Sequence, residues 1–188
     1  MEKISLKGNV ILVDAAYADS KAGGLSAFLH KRLGRDLPKA DLAEWLVCCA
    51  LDSGMQPDDG EVQVVFVYPA GHPCLRHFTP SDLQAEIDGK AFADGRFGEF
   101  VLYAVEDLGH EGDMPLVEES IRAACSDPAV KRLAIVCSQE VAGSAMHGEG
   151  VEKAVVMSME PATTEGKRSQ PLGYSLLHAL GISPGELV

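Results

Sequence analysis

The chain has 188 residues, 46% of them hydrophobic and 23% charged, which suits one globular domain and excludes wholesale disorder. Its 16 basic and 28 acidic residues leave a net charge of −12, so a binder held mainly by phosphate neutralisation is disfavoured though not excluded, because a metal ion offsets carboxylates locally. The acidity is spread over both halves, −5 through Gly95 and −7 after it (9 basic and 14 acidic residues, then 7 and 14), and no basic stripe is visible. No apolar run approaches the roughly 20 residues that cross a bilayer, and residues 1–8 lack the core and cleavage site of a signal peptide. A cytoplasmic protein is expected. Cys48, Cys49, Cys74, Cys125 and Cys137 are odd in number and contain no C-x-x-C, which points to reduced thiols serving as small core residues.

In chain order, Asn9-Val-Ile-Leu-Val-Asp14 is a continuous apolar run ending in an acid, the pattern of a strand buried on both faces. Gly23-Gly24 follows, then Leu25, Phe28, Leu29 and Leu33 at helical spacing, with Gly34 where a helix would stop. Pro38 and Asp41 open a second helix with the stripe Leu42, Trp45, Leu46, Cys49 and Ala50, followed by a polar turn over Gln56 to Gly60. Val62 to Tyr68 reads as the second strand. Thr79-Pro-Ser-Asp starts a short helix reaching about Asp88, and Phe100 to Val105 is the third strand. After an acidic loop, Pro115 opens a helix carrying Leu116, Val117, Ile121 and Ala124. Leu133 to Cys137 and Ala154 to Ser158 are the fourth and fifth strands, with a glycine-rich, mobile-looking loop between them over Gly143 to Gly150. Glu160 to Pro171 reads as a polar linker and Tyr174 to Leu180 as a last helix.

Strands alternating with helices predict parallel pairing through right-handed crossovers, in a three-layer α/β/α sandwich with a mainly parallel, roughly five-stranded sheet. Residues 1–160 form the α/β domain; 161–188 supply the linker and a helix packing on the same domain. The stripe Leu172, Leu176, Leu177 and Leu180 is expected to dock on its own domain, with a homodimer as the other outcome.

Ligands gather at the carboxyl ends of such strands. Asp14 ends the first strand, Tyr68 the second, Glu106 and Asp107 the third, and Ser138, Gln139 and Glu140 the fourth. If the first and fourth strands are neighbours, about 5 Å apart, Asp14 and Glu140 could share a divalent cation such as Mg²⁺ or Mn²⁺. Asp113 and Glu119 could add to it, although Asp113 also suits a helix cap. The competing reading makes these acids solvated loop residues or N-caps. His72, Cys74 and His77 form an H-x-C-x-x-H cluster with no partner motif, so chance placement in a surface loop is preferred over zinc. There is neither G-x-G-x-x-G nor G-x-x-x-x-G-K-[ST] nor G-x-S-x-G, which sets aside dinucleotide, P-loop and serine-hydrolase chemistry.

With the acids on the strand ends, the layout resembles the PIN-like superfamily, in particular its NYN branch. Val13-Asp14 matches the strand ending in Asp, Asp113 and Glu119 match the acid before a later helix, and Ser138-Gln139-Glu140 sits where a Ser-Gly-Asp signature is expected. Ala15, Ala16 and Tyr17 stand where an Asn is expected, Gln139-Glu140 replaces Gly-Asp, and Val141 and Ala142 replace the next acid. The resemblance implies a metal-dependent ribonuclease fold, and the departures imply an altered or inactive member. Two functions are therefore expected as alternatives. One is a PIN-like, Rossmann-like α/β protein that binds a partner or small ligand without catalysis; the other is a divalent-metal phosphodiesterase or ribonuclease.

Overall fold

The computed structural model describes residues 5–56, 60–109, 114–163 and 167–187. It is a mixed α/β chain with one large, mostly parallel sheet and several helices. The strands are β1 (Asn9–Asp14), β2 (Ala40–Asp41), β3 (Val62–Pro69), β4 (Phe78–Thr79), β5 (Ala91–Asp94), β6 (Gly98–Asp107), β7 (Arg132–Val136), β8 (Ala154–Ser158) and β9 (Arg168–Pro171). The helices are α1 (Ala15–Leu33), α2 (Leu42–Asp52), α3 (Leu116–Ser126), α4 (Gln139–Ala145) and α5 (Gly173–Ala179), with a π-helical turn at Leu83–Ile87 and a 3₁₀ turn at Val151–Lys153.

Seven strands form the main sheet in the order β5-β6-β3-β1-β7-β8-β9, with only β5 antiparallel to its neighbour. Numbered along the chain, the six parallel strands β1, β3, β6, β7, β8 and β9 run 3-2-1-4-5-6 across the sheet, the order of doubly wound α/β proteins. The direction of progression reverses between β1 and β7, which pair from Asn9 with Arg132 to Val13 with Val136. A crevice therefore opens past Val13 and Val136, beside Asp14 and Cys137.

Alternation along the strands supplies two cores. Ile11, Val13, Val64, Phe66 and Val136 face one side and pack with α1, α2 and α5. Val10, Leu12, Val65, Leu133 and Ile135 face the other and pack with α3 and α4. Trp45 of α2, fully buried, sits 4.9 Å from Phe78 between ring centroids. Leu172, Leu176 and Leu180 at α5 join the same core as α2.

Four local expectations change. The first helix begins directly after Asp14, not after Gly23-Gly24, because the Asp14 side chain caps it by accepting from Tyr17 N at 3.0 Å. Gly23 lies inside this helix under the His77 ring, where a Cβ would meet ring atoms at 2.6–2.9 Å. A side chain at this position would have to displace the His77 ring. Residues 143–145 of the supposed mobile loop belong to α4, which is capped by Ser138 Oγ accepting from Val141 N at 3.2 Å. The supposed linker contains β9, and β5 was also unforeseen. Both are four-residue edge strands of largely exposed residues, which carry no buried alternation to read. Among the described residues, no helix is long and apolar enough to cross a membrane.

Candidate functional site

The carboxyl ends of β1, β3 and β6 border a cleft of about 370 Å³ lined by Asp14, Ala16, Tyr68, Asp107, Leu108 and Val117 among others. A second cleft of about 410 Å³ continues past Ala16 and Pro69, which line both, toward Asp19, His72, Cys74 and His77. Together they form a groove along the carboxyl edge, where α/β sheets usually hold ligands.

The acids there are occupied by the chain itself. Asp14 accepts from Tyr17 N at the start of α1, and burial pushes its carboxyl above the usual range against that hydrogen bond. Asp107 accepts from Gly109 N through Oδ1 and from Leu116 N through Oδ2, both at 3.0 Å, so it fixes the turn from β6 and the start of α3. Glu160, just after β8, accepts from Tyr17 Oη at 2.6 Å and pairs with Lys21 Nζ at 2.8 Å. Burial raises its carboxyl, but Lys21 and Tyr17 outweigh this and hold it below the usual range. Tyr17 Oη in turn accepts from Met159 N at 2.9 Å, and burial together with Glu160 raises the phenol. Cys137 is pushed up to about 12 by burial and by the nearby Asp14 charge, so its thiol is inert rather than nucleophilic.

Of the residues expected to hold metal, Asp14 and Glu140 follow neighbouring strands, as the pairing of the first and fourth predicted strands requires. Glu140, however, is exposed in the first turn of α4, while Asp14 is half-buried under its own cap. Glu119 is exposed in the first turn of α3 and lines a separate apolar cleft that runs from Val105 and Leu116 to Leu6, Val10 and Pro128. Asp113 lies outside the described residues. Among those described, no three His, Cys, Asp or Glu side chains are grouped to hold a metal ion. His72, Cys74 and His77 do share a cleft, but His77 is turned to Asp19, which accepts from His77 N at 2.8 Å. Its Nδ1 lies 3.3 Å from the same carboxylate yet is not aligned for a hydrogen bond, so the contact is an ion pair at most.

Sequence reasoning missed the Tyr17–Lys21–Glu160 network and the way it closes the edge next to the crevice. With the first helix expected only after Gly23-Gly24, neither the i, i+4 placement of Tyr17 and Lys21 on one helix nor their meeting with Glu160, 143 residues beyond Tyr17, was legible. Gln139, buried behind the network, donates to Ser158 Oγ at 2.7 Å and Ser169 Oγ at 3.1 Å and ties α4 to β8 and β9.

The model of a family of unknown function, DUF6621, matches residues 3–187. No curated protein and no solved structure matches the chain.

Proposed function

The chain belongs to the DUF6621 family, whose function is unknown, and from its geometry we propose a PIN-like three-layer α/β/α protein that binds a partner or small ligand without catalysis. The groove at the carboxyl edge is the binding surface. One observation carries this reading: the acids that border the groove are engaged by donors of their own fold. Asp14 caps α1, Asp107 holds the β6–α3 turn, and Asp19 accepts from His77 N. A metal-dependent phosphodiesterase needs carboxylate oxygens free to face an ion and an attacking water. Leu108, 71% exposed on the rim, and Ala16, shared by both clefts, offer apolar contact in its place. A cytoplasmic setting fits the reading, since the five cysteines are free thiols.

Calorimetric titration of the full chain with Mn²⁺ and Mg²⁺, with RNA incubation alongside, tests it. The expected outcome is no heat that Asp14→Asn removes and no RNA cleavage. Metal-dependent cleavage abolished by Asp14→Asn or Glu140→Gln would overturn the reading in favour of the ribonuclease. A fragment screen followed by amide NMR should place its shifts at Ala16, Tyr68 and Leu108, and Ala16→Trp should abolish them; shifts that cluster elsewhere on the molecule defeat the choice of groove.

A further inference from the structure

The amino edge of the sheet gathers cations that look scattered in the sequence. Lys131 and Arg132 lead into β7, Lys153 leads into β8, and Arg168 begins β9. Because β1, β7, β8 and β9 lie side by side, their amino ends meet at one cleft of about 650 Å³. Four of the chain's 16 basic residues line it, with Glu152 as the one acid among the described lining residues, in a chain of net charge −12.

Two of the cations have a structural reason to be there. Lys153 Nζ donates to Asp127 O at 2.7 Å, at the C-terminus of α3, and Arg132 Nη1 donates to Gly54 O at 2.9 Å, just past α2. Helix C-termini favour positive charge, and the neutral carbonyl on Lys153 orients that cation without cancelling it. Among the described residues, Lys131 and Arg168 have no such hydrogen bond to a helix end. Among the described residues, Lys131, Lys153 and Arg168 form no ion pair. Grouping like charges around one cleft costs the fold energy that a bound anion would return.

We propose that this cleft binds a small polyanion carrying two or more phosphate groups, such as an inorganic oligophosphate or a phosphorylated polyol. The Arg168 guanidinium fork matches phosphate oxygens in pairs, and the ammonium groups of Lys131 and Lys153 add point charges. The volume exceeds what one phosphate fills and lies in the range of small-ligand sites. Among the described residues no aromatic or large aliphatic side chain lines it to stack a nucleobase. A long nucleic acid would leave the cleft for a strongly acidic surface, which repels it. This site is at the opposite edge from the groove proposed above and does not depend on it.

Calorimetric titration of the full chain with tripolyphosphate and, separately, with inositol hexakisphosphate tests the proposal. Saturable binding of either is expected, weakening as salt is raised, and the tighter of the two names the source. Lys131→Ala with Arg168→Ala, both exposed positions, should weaken it about tenfold per cation removed. The distant pair Lys31→Ala with Lys90→Ala, and Asp14→Asn, should leave it unchanged, so failure of the carboxyl-edge reading would not disturb this one. The proposal is overturned if neither compound binds, if the Lys131/Arg168 variant binds as well as the wild type, or if a short single-stranded RNA binds as tightly and displaces them.

Discussion

At the carboxyl edge of the sheet, Asp14, Asp107 and Glu160 each answer N–H or O–H donors of the chain itself, whereas at the amino edge Arg132 and Lys153 answer the carbonyls of Gly54 and Asp127. The difference follows from how an α/β chain is wired. Carboxyl ends of parallel strands lead into helix N-termini, which present unpaired N–H groups and favour acids. Amino ends receive helix C-termini, which present carbonyls and favour bases. The same wiring that makes the carboxyl edge look like a metal site thus spends its acids on caps. At the amino edge it collects cations beyond those that the helix ends require.

The largest expected effect breaks the amino edge. Gly150 adopts φ +82°, and a Cβ there would lie 1.9 Å from Cys125 O, at the end of α3 and next to the turn that carries Lys153. Backbone overlap of this kind has no flexible side chain to give way. Gly150→Ala should cost about 3 kcal/mol in urea denaturation and loosen the cationic cleft. A loss below about 1 kcal/mol would mean that the close approach does not constrain this edge.

Tyr17→Phe probes the carboxyl edge with an intermediate effect. It removes a donor to Glu160 and an acceptor for Met159 N, and should cost about 1–2 kcal/mol at neutral pH. Glu160 is held below its ordinary value of 4.5, so its contribution is present above that value and fades as pH falls through the lowered one. The gap between wild type and variant should therefore shrink in acid. A gap that stays constant below pH 4.5 would show that Glu160 takes no part.

Asp14→Asn should have the smallest effect and the opposite sign. Burial raises the Asp14 carboxyl, so its ionised form burdens the fold at neutral pH, while Asn keeps an acceptor for Tyr17 N. The variant should equal or exceed wild-type stability at neutral pH. The gain should vanish as pH falls through the raised folded value toward the ordinary 3.8, where the aspartate becomes protonated in both states. A clear loss at neutral pH would mean that the charge itself, and not the cap alone, supports this edge.

The central strands β1, β3, β7 and β8 were legible because each is a continuous apolar run buried on both faces, and α2 because its stripe has a 3.6-residue period. The edge strands β5 and β9 were not, since an exposed strand is specified by its neighbour's backbone and leaves no hydrophobic signature. Gly23-Gly24 misled about the start of α1, since a helical glycine under the His77 ring reads in sequence like a turn. Asp14 was identifiable as the end of a strand; that its side chain would turn back to cap the next helix depended on the absence of any loop between β1 and α1.

Local periodicity and capping chemistry, which act over a few residues, therefore determined the central strands, most of the helices, their alternation and a mostly parallel sheet. Strand order, the meeting of Tyr17 with Glu160, and the gathering of Lys131, Arg132, Lys153 and Arg168 at one cleft were decided only by tertiary packing. Apart from the adjacent Lys131 and Arg132, the side chains brought together in the last two are at least 15 residues apart. The free energy that joins them comes from burying whole faces of the sheet, not from any pattern local to the chain.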